Sequence, residues 1–191
     1  MRCRLVGSEM CIRDSHTACV IFDSASDRTY VDLDLVNTCK PTRTGQEFIQ
    51  YNAFGGETNS KRALRSVYDL LLIDSQGQAH TLSAVGVPKI CQPISRTRVP
   101  QHLLDELRLL PMADDYSQNS TLAIQLLIGQ DQLWNFVYHT NAIKVGNLVA
   151  QLSIFGYLLS GRVETSTENS TNTTLTVSYT HLTLPTKPSG E

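Results

Sequence analysis

The apolar residues of this 191-residue chain come in short runs that are separated by turn-forming residues. Leu70 to Ile73 and Leu126 to Ile128 are typical of these runs, and none approaches the ~20 apolar residues that a membrane helix requires. Short apolar runs bounded by Gly, Pro, Asn, Asp and Ser predict β-strands. The sequence therefore predicts a mainly β fold, and we expect no membrane partner.

Size, charge and cysteine content narrow the class of protein. A chain of this length, with 41% hydrophobic and 18% charged residues, can form one domain whose core needs no disulfide or metal. Its net charge of -2 argues against nucleic acid as a direct partner, because phosphate binding favours a basic surface. The five cysteines are widely spaced and include no C-x-x-C pair. We therefore expect free thiols, no metal, no cofactor and an intracellular, cytoplasmic location.

Both ends of the chain resemble foreign sequence. A segment near each end is similar to the translation of a sequencing-library adaptor, so we expect residues 1–15 and 177–191 to be an artefactual, disordered leader and tail. A genuine disordered tail is the alternative, and it predicts the same lack of packing. The remaining chain divides into one domain over 16–163 and a polar, Ser/Thr/Asn-rich linker over 164–176.

Within this domain, hydrophobic periodicity predicts a series of strands with a few short helices. Residues 63–73 fit either a helix or a long strand, and the turn signal at 74–77 favours the strand. Three prolines mark 91–121 as an insertion that lies on the surface. We expect Trp134 in the core and Arg96 on a solvated face. Further strands are expected at 18–22, 79–85, 122–128 and 152–159, and short helices at 103–107 and 131–137, the second with Asp131 as a possible cap.

An apolar run over 20–22 leads into a turn that begins with a carboxylate and a hydroxyl. The turn consists of Asp23, Ser24, Ala25 and Ser26. An aspartic protease needs a carboxylate at such a strand end, close enough to a second carboxylate that the two share one proton. The alternative is an acid that caps a helix further along the chain. The turn alone does not decide between the two.

Two more segments follow the Asp23 turn in order. One contains two adjacent glycines and predicts a tight hairpin or mobile tip, with an ordinary loop as the alternative. The other is apolar and ends in a glycine, where two backbones can approach closely. The first segment is Phe54, Gly55 and Gly56, and the second is Leu127, Ile128 and Gly129.

In this order, the three segments resemble the catalytic turn, the flap tip and the supporting apolar segment of retropepsin-like aspartic proteases. Further pieces resemble the protease region of BEL/Pao-type retrotransposon polyproteins, so that the resemblance covers about residues 20–162. These pieces are residues 87–91, 103–114, 127–131 with Trp134, and 155–161. The resemblance implies a closed β-barrel with short helices and a surface insertion.

The resemblance also implies a homodimer in which each subunit contributes one Asp23 to a two-fold active site. Two carboxylates ~3 Å apart cannot both ionise. The ionised one would therefore activate a water, and the protonated one would donate to the peptide oxygen or the leaving nitrogen. Ser24 would brace the two turns, and residues 54–56 would close over an extended peptide or polyprotein substrate.

Ala25 departs from the family's pattern, in which glycine is commonest at that position. A methyl group fits there if the φ angle of Ala25 is negative. The resemblance thus implies an aspartic endopeptidase that processes a retroelement polyprotein inside a retroelement particle. The alternative, favoured by Ala25, is an inactive or repurposed retropepsin-like fold that binds peptides or dimerises without cutting them.

Overall fold

A computed structural model describes residues 2–3, 15–50, 62–140, 142–163, 174–175 and 178–185. The prediction of a mainly β fold is confirmed, because strands far outnumber the three short helices in these residues. The strands are β1 (Arg2–Cys3), β2 (Ser15–Asp23), β3 (Tyr30–Asp32), β4 (Thr42–Ile49), β5 (Ala63–Ile73), β6 (Ala79–Val87), β7 (Ile94–Arg96), β8 (Ser120–Leu122), β9 (Leu126–Gly129), β10 (Ile143–Val145), β11 (Leu148–Ser153), β12 (Gly156–Arg162), β13 (Thr174–Leu175) and β14 (Ser178–Pro185). The helices are α1 (Leu33–Cys39), α2 (Gln101–Leu107) and α3 (Leu133–Phe136).

The largest sheet has the strand order β1-β14-β2-β9-β3-β6-β5-β4. β2 and β9 run parallel at its centre, and β3 joins them to the antiparallel pair β5–β6. Every residue from 18 to 22 on β2 is buried. Ala18, Val20 and Phe22 face the main core, whereas Cys19 and Ile21 face a smaller cluster, as the two-residue period of a strand requires. An apolar run without polar alternation marks a strand covered on both faces.

The expected closed barrel is wrong. Within the described residues, the large sheet ends at β1 on one side and at β4 on the other, and these two strands do not pair with each other. The side chains of β4 are almost all exposed, and the first six, from Thr42 to Glu47, are polar or glycine. A strand with this composition is suited to a solvated sheet edge rather than to closure around a core.

The segment over 91–121 is not simply a surface insertion. Val99, Leu107 and Tyr116 are buried against the four-stranded sheet β10-β11-β12-β13 and form a second hydrophobic core. Arg96, expected on a solvated face, is only 5% exposed. Its Nη1 atom lies 2.7 Å from a carboxylate oxygen of Asp114, so a buried ion pair anchors the segment.

Two segments predicted as single strands are each split in two. The segment over 152–159 contributes to both β11 and β12, which pair antiparallel around a turn at Ile154 and Phe155. Gly156 completes this turn with a φ of +108°, a conformation that favours glycine. The segment over 122–128 changes sheets between β8 and β9, and the backbone of Gln125 bonds to that of Asp32 and Cys19 at this crossing.

The two ends of the chain take part in strand pairing where the structure describes them. β14 runs antiparallel to β2 from Ser178 opposite Phe22 to Pro185 opposite Ser15, and β1 pairs with β14. The expectation of a tail wholly outside the fold is therefore wrong for 178–185. This segment is rich in Thr, Tyr and Leu, and β2 offers an edge whose backbone groups need partners. Its resemblance to adaptor sequence remains a prediction, and residues 164–173 of the predicted linker lie outside the described residues.

The predicted strands at 18–22, 63–73 and 79–85 and the helix at 103–107 are confirmed. Trp134 is not in the core: 46% of its surface is exposed, and its ring stacks on His139 with centroids 4.4 Å apart. Among the described helices, none combines the length and the apolar character that crossing a membrane would take.

Candidate active site

Asp23 is the last residue of β2 and is half-buried. Its Oδ1 atom accepts a hydrogen bond from the backbone N–H of Ala25 at 2.9 Å, and its carbonyl accepts one from the N–H of Ser26 at 3.2 Å. The carboxylate is thus held by the turn that it begins. The nearest helix, α1, begins ten residues later with Asp32 as its N-cap, so the alternative of Asp23 as a helix cap is wrong.

Gly129 lies directly beside the Asp23 turn. In the parallel pairing of β2 with β9, Asp23 is opposite Gly129 and Phe22 is opposite Ile128. A Cβ atom on Gly129 would lie 2.6 Å from the carbonyl carbon of Arg28, 2.8 Å from the carbonyl oxygen of Ser26, and closest of all to the carbonyl oxygen of Arg28. Only glycine allows the two backbones to approach this closely.

The apolar segment before Gly129 supports the turn from below. Ile128 is fully buried in the main core, and Leu127 packs against the smaller cluster with Cys19 and Ile21. The structure therefore brings the Asp23 turn and the predicted segment over 127–129 together.

The remaining turn residues differ in their exposure. Ser24 and Ala25 are exposed, and the Oγ atom of Ser26 donates to the carbonyl oxygen of Arg28 at 2.8 Å. Among the described residues, Lys40 is the only non-glycine residue with a positive φ. Ala25 therefore has a negative φ, and its methyl group is accommodated without backbone strain.

A buried hydrogen-bond network beneath the turn is not predicted from the sequence. Thr29 is 1% exposed; its Oγ1 atom donates to Asp131 Oδ1 at 2.7 Å and accepts from the N–H of Gly129 at 3.1 Å. The N–H of Thr29 also donates to Asp131 Oδ2 at 3.2 Å. The expectation that Asp131 caps the helix is wrong, because α3 begins at Leu133 with Gln132 as its N-cap, and Asp131 turns back to Thr29.

Arg28 connects this network to the edge of the large sheet. Its Nη2 atom lies 2.6 Å from both carboxylate oxygens of Glu47 on β4, and its Nη1 atom lies 3.3 Å from Asp131 Oδ2. The hydrogen bond to Glu47 raises the pKa of the Arg28 guanidinium above its ordinary value, although partial burial opposes the shift. The Nε atom of Arg28 also donates to Oε1 of Glu47 at 3.1 Å, and together these hydrogen bonds fix the guanidinium geometry. Arg28 and Glu47 are 19 positions apart, and no pattern in the sequence predicts that they pair.

The predicted flap tip, Phe54, Gly55 and Gly56, lies outside the described residues. The strands that precede and follow it, β4 and β5, form an antiparallel pair that ends with Ile49 opposite Ala63. The Arg28–Glu47 pair joins this hairpin to the Asp23 turn.

In the described part of the chain, no group of three or more His, Cys, Asp or Glu side chains is arranged to hold a metal ion. No protein-family model, no curated protein and no solved structure matches this chain.

Proposed function

We propose that this chain is an aspartic endopeptidase domain of the retropepsin-like, BEL/Pao retrotransposon type, and that it acts as a homodimer. One observation carries the proposal: Asp23 lies at the end of β2, directly opposite Gly129 at the end of the parallel strand β9. A carboxylate on a strand end, in a turn fixed by backbone contacts, is the geometry in which two copies can bring their acids together.

The reaction uses the Asp23 of each subunit. One carboxylate is ionised and removes a proton from a water molecule as the water oxygen attacks the carbonyl carbon of the peptide. The other is protonated and donates its proton to the carbonyl oxygen. As the C–N bond then breaks, the first carboxyl gives the proton that it took from water to the leaving nitrogen, and the second carboxylate takes back a hydroxyl proton from the intermediate. The Oδ1 bond to Ala25 and the network of Thr29 and Asp131 support this role, because they fix the turn that carries the acid.

The substrate of such a site is an extended peptide, in this case a segment of the retroelement polyprotein. Extended peptides bind through their backbones, as an added strand. Ser24 is exposed on the turn, where its hydroxyl would brace the turn of the second subunit. Free thiols at Cys19, Cys39 and Cys91 support a reducing, intracellular location such as a cytoplasmic retroelement particle.

A second candidate is a retropepsin-like fold that dimerises or binds peptides without cutting them. Ala25 favours it, because glycine is the commonest residue at that position in the family that the sequence resembles. The negative φ of Ala25 removes a steric objection to catalysis but does not supply activity. The two candidates differ in one measurable property, which is hydrolysis that depends on Asp23.

The test is cleavage of a peptide library by the full chain between about pH 4 and 7, read by mass spectrometry, because an acid pair that shares a proton works in this range. Asp23→Asn keeps the size of the side chain but removes the acid, so we expect a loss of at least ~10³-fold in rate. Asp27→Asn is the matched control: Asp27 is exposed in the same loop, and this variant should retain the wild-type rate.

Cleavage that survives Asp23→Asn would contradict the catalytic assignment. A wild-type chain that forms dimers and binds peptides but produces no fragments would favour the second candidate.

A further inference from the structure

A cavity of about 430 Å³ lies on a part of the molecule that does not include the Asp23 turn. It is bounded by the turn between β5 and β6, by Pro111 and Met112, and by the turn between β11 and β12. Its volume is within the range of small-molecule sites, about 300–1,000 Å³.

The walls of this cavity are fixed by contacts between the two turns. Both the N–H and the Oγ of Ser75 donate to the carbonyl oxygen of Ile154, at 3.3 and 3.1 Å. The ring of Phe155 stacks on that of Phe136, with centroids 6.1 Å apart and an angle of 12° between the planes. A cavity formed in advance loses little conformational entropy when a ligand binds.

The polar wall carries a buried acid and its imidazole partner. Only 7% of the Asp74 side chain is exposed, and its Oδ2 atom lies 2.9 Å from Nε2 of His80. Its Oδ1 atom accepts from the N–H groups of Gln76 and Gln78, both at 2.8 Å. Burial raises the pKa of Asp74, but the hydrogen bonds from His80, Gln78 and Gln76 outweigh it and hold the pKa below the ordinary value.

This wall therefore presents hydrogen-bond acceptors. The Nε2 atom of His80 donates to the carboxylate of Asp74, an assignment that follows from the contact, and the two carboxylate oxygens are the acceptors of this wall. Among the described residues that line the cavity there is one carboxylate and neither Lys nor Arg. The residues that line the cavity also include the apolar Met112, Leu152 and Phe155.

We propose that this cavity binds a small organic cation with an apolar body. Its ammonium group would donate to the Asp74–His80 pair, and its apolar part would pack against Met112, Leu152 and Phe155. A donor-bearing cation matches both the negative charge and the acceptors of the polar wall. This site is independent of the proposed peptidase activity.

The test is a titration of the ¹⁵N-labelled full chain, followed by amide chemical shifts in two-dimensional NMR. The probe is 4-phenylbutylammonium, and the neutral and anionic controls are 4-phenylbutan-1-ol and 4-phenylbutyrate. Shifts are expected at the amides of Gln76, Gln78, Phe155 and Gly156. The two controls should bind at least about tenfold more weakly, since a charge-assisted hydrogen bond contributes on this scale.

A matched pair of variants tests the charge argument without altering the Asp74 turn. The side chains of Gln76 and Gln118 are both exposed, but only Gln76 lines the cavity. Gln76→Lys should weaken probe binding at least about fivefold by repulsion between like charges, whereas Gln118→Lys should leave it unchanged. The proposal is overturned if the ammonium probe does not bind, if the alcohol binds equally well, or if the two variants behave alike.

Discussion

Substitution of Gly129 by alanine should destabilise the fold and distort the Asp23 turn. The added Cβ would lie 2.6 Å from the Arg28 carbonyl carbon and 2.8 Å from the Ser26 carbonyl oxygen, and closer still to the Arg28 carbonyl oxygen. These atoms are backbone atoms, so no side-chain rotation relieves the contact. The Ser26 carbonyl already accepts a 2.7 Å hydrogen bond from the N–H of Gln130, which a shift of the loop would break.

The size of this effect follows from two contributions. Overpacking in a buried site costs about 1–3 kcal/mol. The loss of one hydrogen bond adds about 1 kcal/mol. We therefore expect Gly129→Ala to lower the free energy of unfolding by about 2–4 kcal/mol. For a chain of this size, that corresponds to a fall of about 1–2 M in the urea midpoint.

Urea unfolding, followed by far-ultraviolet circular dichroism, measures this change. Gly45→Ala is the matched control: Gly45 also lies on a strand of the large sheet, but a Cβ there would meet nothing within 4 Å. The control should remain within about 0.5 kcal/mol of wild type. If Gly129→Ala were as stable as Gly45→Ala, the close approach of β9 to the Asp23 turn would be refuted.

Three further predictions concern the other buried polar groups. Thr29→Val should lower the free energy of unfolding by about 1–3 kcal/mol, because it leaves a carboxylate oxygen of Asp131 without its hydroxyl donor. Thr29→Ser keeps the hydroxyl and should cost less, and equal losses in urea unfolding would contradict this role of the hydroxyl. Asp114→Ala should cost about 3–5 kcal/mol because it leaves the Arg96 guanidinium buried without its carboxylate, and a loss under 1 kcal/mol would contradict the ion pair. The pKa of Asp74 is held below its ordinary value, so its contribution to stability is present above about pH 4 and is lost as the pH falls through the lower folded value. The difference in the free energy of unfolding between wild type and Asp74→Asn should therefore become smaller below pH 4, when urea unfolding is measured at a series of pH values. A difference that stays constant with pH would contradict this role of Asp74.

Much of the strand pattern follows from local sequence. The paired strands β5 and β6 each contain several apolar residues, and the turn between them begins at Asp74 and ends near Gly77. The length of the two apolar segments and the turn-forming residues between them are sufficient to predict the strand pair. The continuous apolar run on β2 likewise indicates a strand covered on both faces. These signals lie within ten or so residues of one another.

Contacts between distant residues could not be predicted in the same way. Arg96 is charged and lies among prolines, which is typical of a surface loop, yet Asp114 neutralises it within the fold. Thr29 and Asp131 are 102 positions apart, and nothing near either residue indicates the other. The family resemblance implies a closed barrel, whereas the polar side chains of β4 favour an open edge.

The order of the motifs predicts the placement of Gly129 next to Asp23, and the two residues are paired in the large sheet. The position of the second carboxylate does not follow from this order, because in the proposed dimer it belongs to another copy of the chain. The structure of one chain therefore contains only one of the two carboxylates.

Mixing of subunits tests this shared site most directly. Wild-type chain and Asp23→Asn chain are unfolded together in equal amounts and refolded, so that dimers form at random, and peptide cleavage is then measured. If each active site needs Asp23 from both subunits, only about a quarter of the dimers are active, and the rate falls to about a quarter of that of the same total amount of wild type. An equal mixture with Asp27→Asn should retain the full rate. A rate near one half in the Asp23→Asn mixture would show that each chain carries a complete site, and would contradict the two-fold aspartic peptidase proposed here.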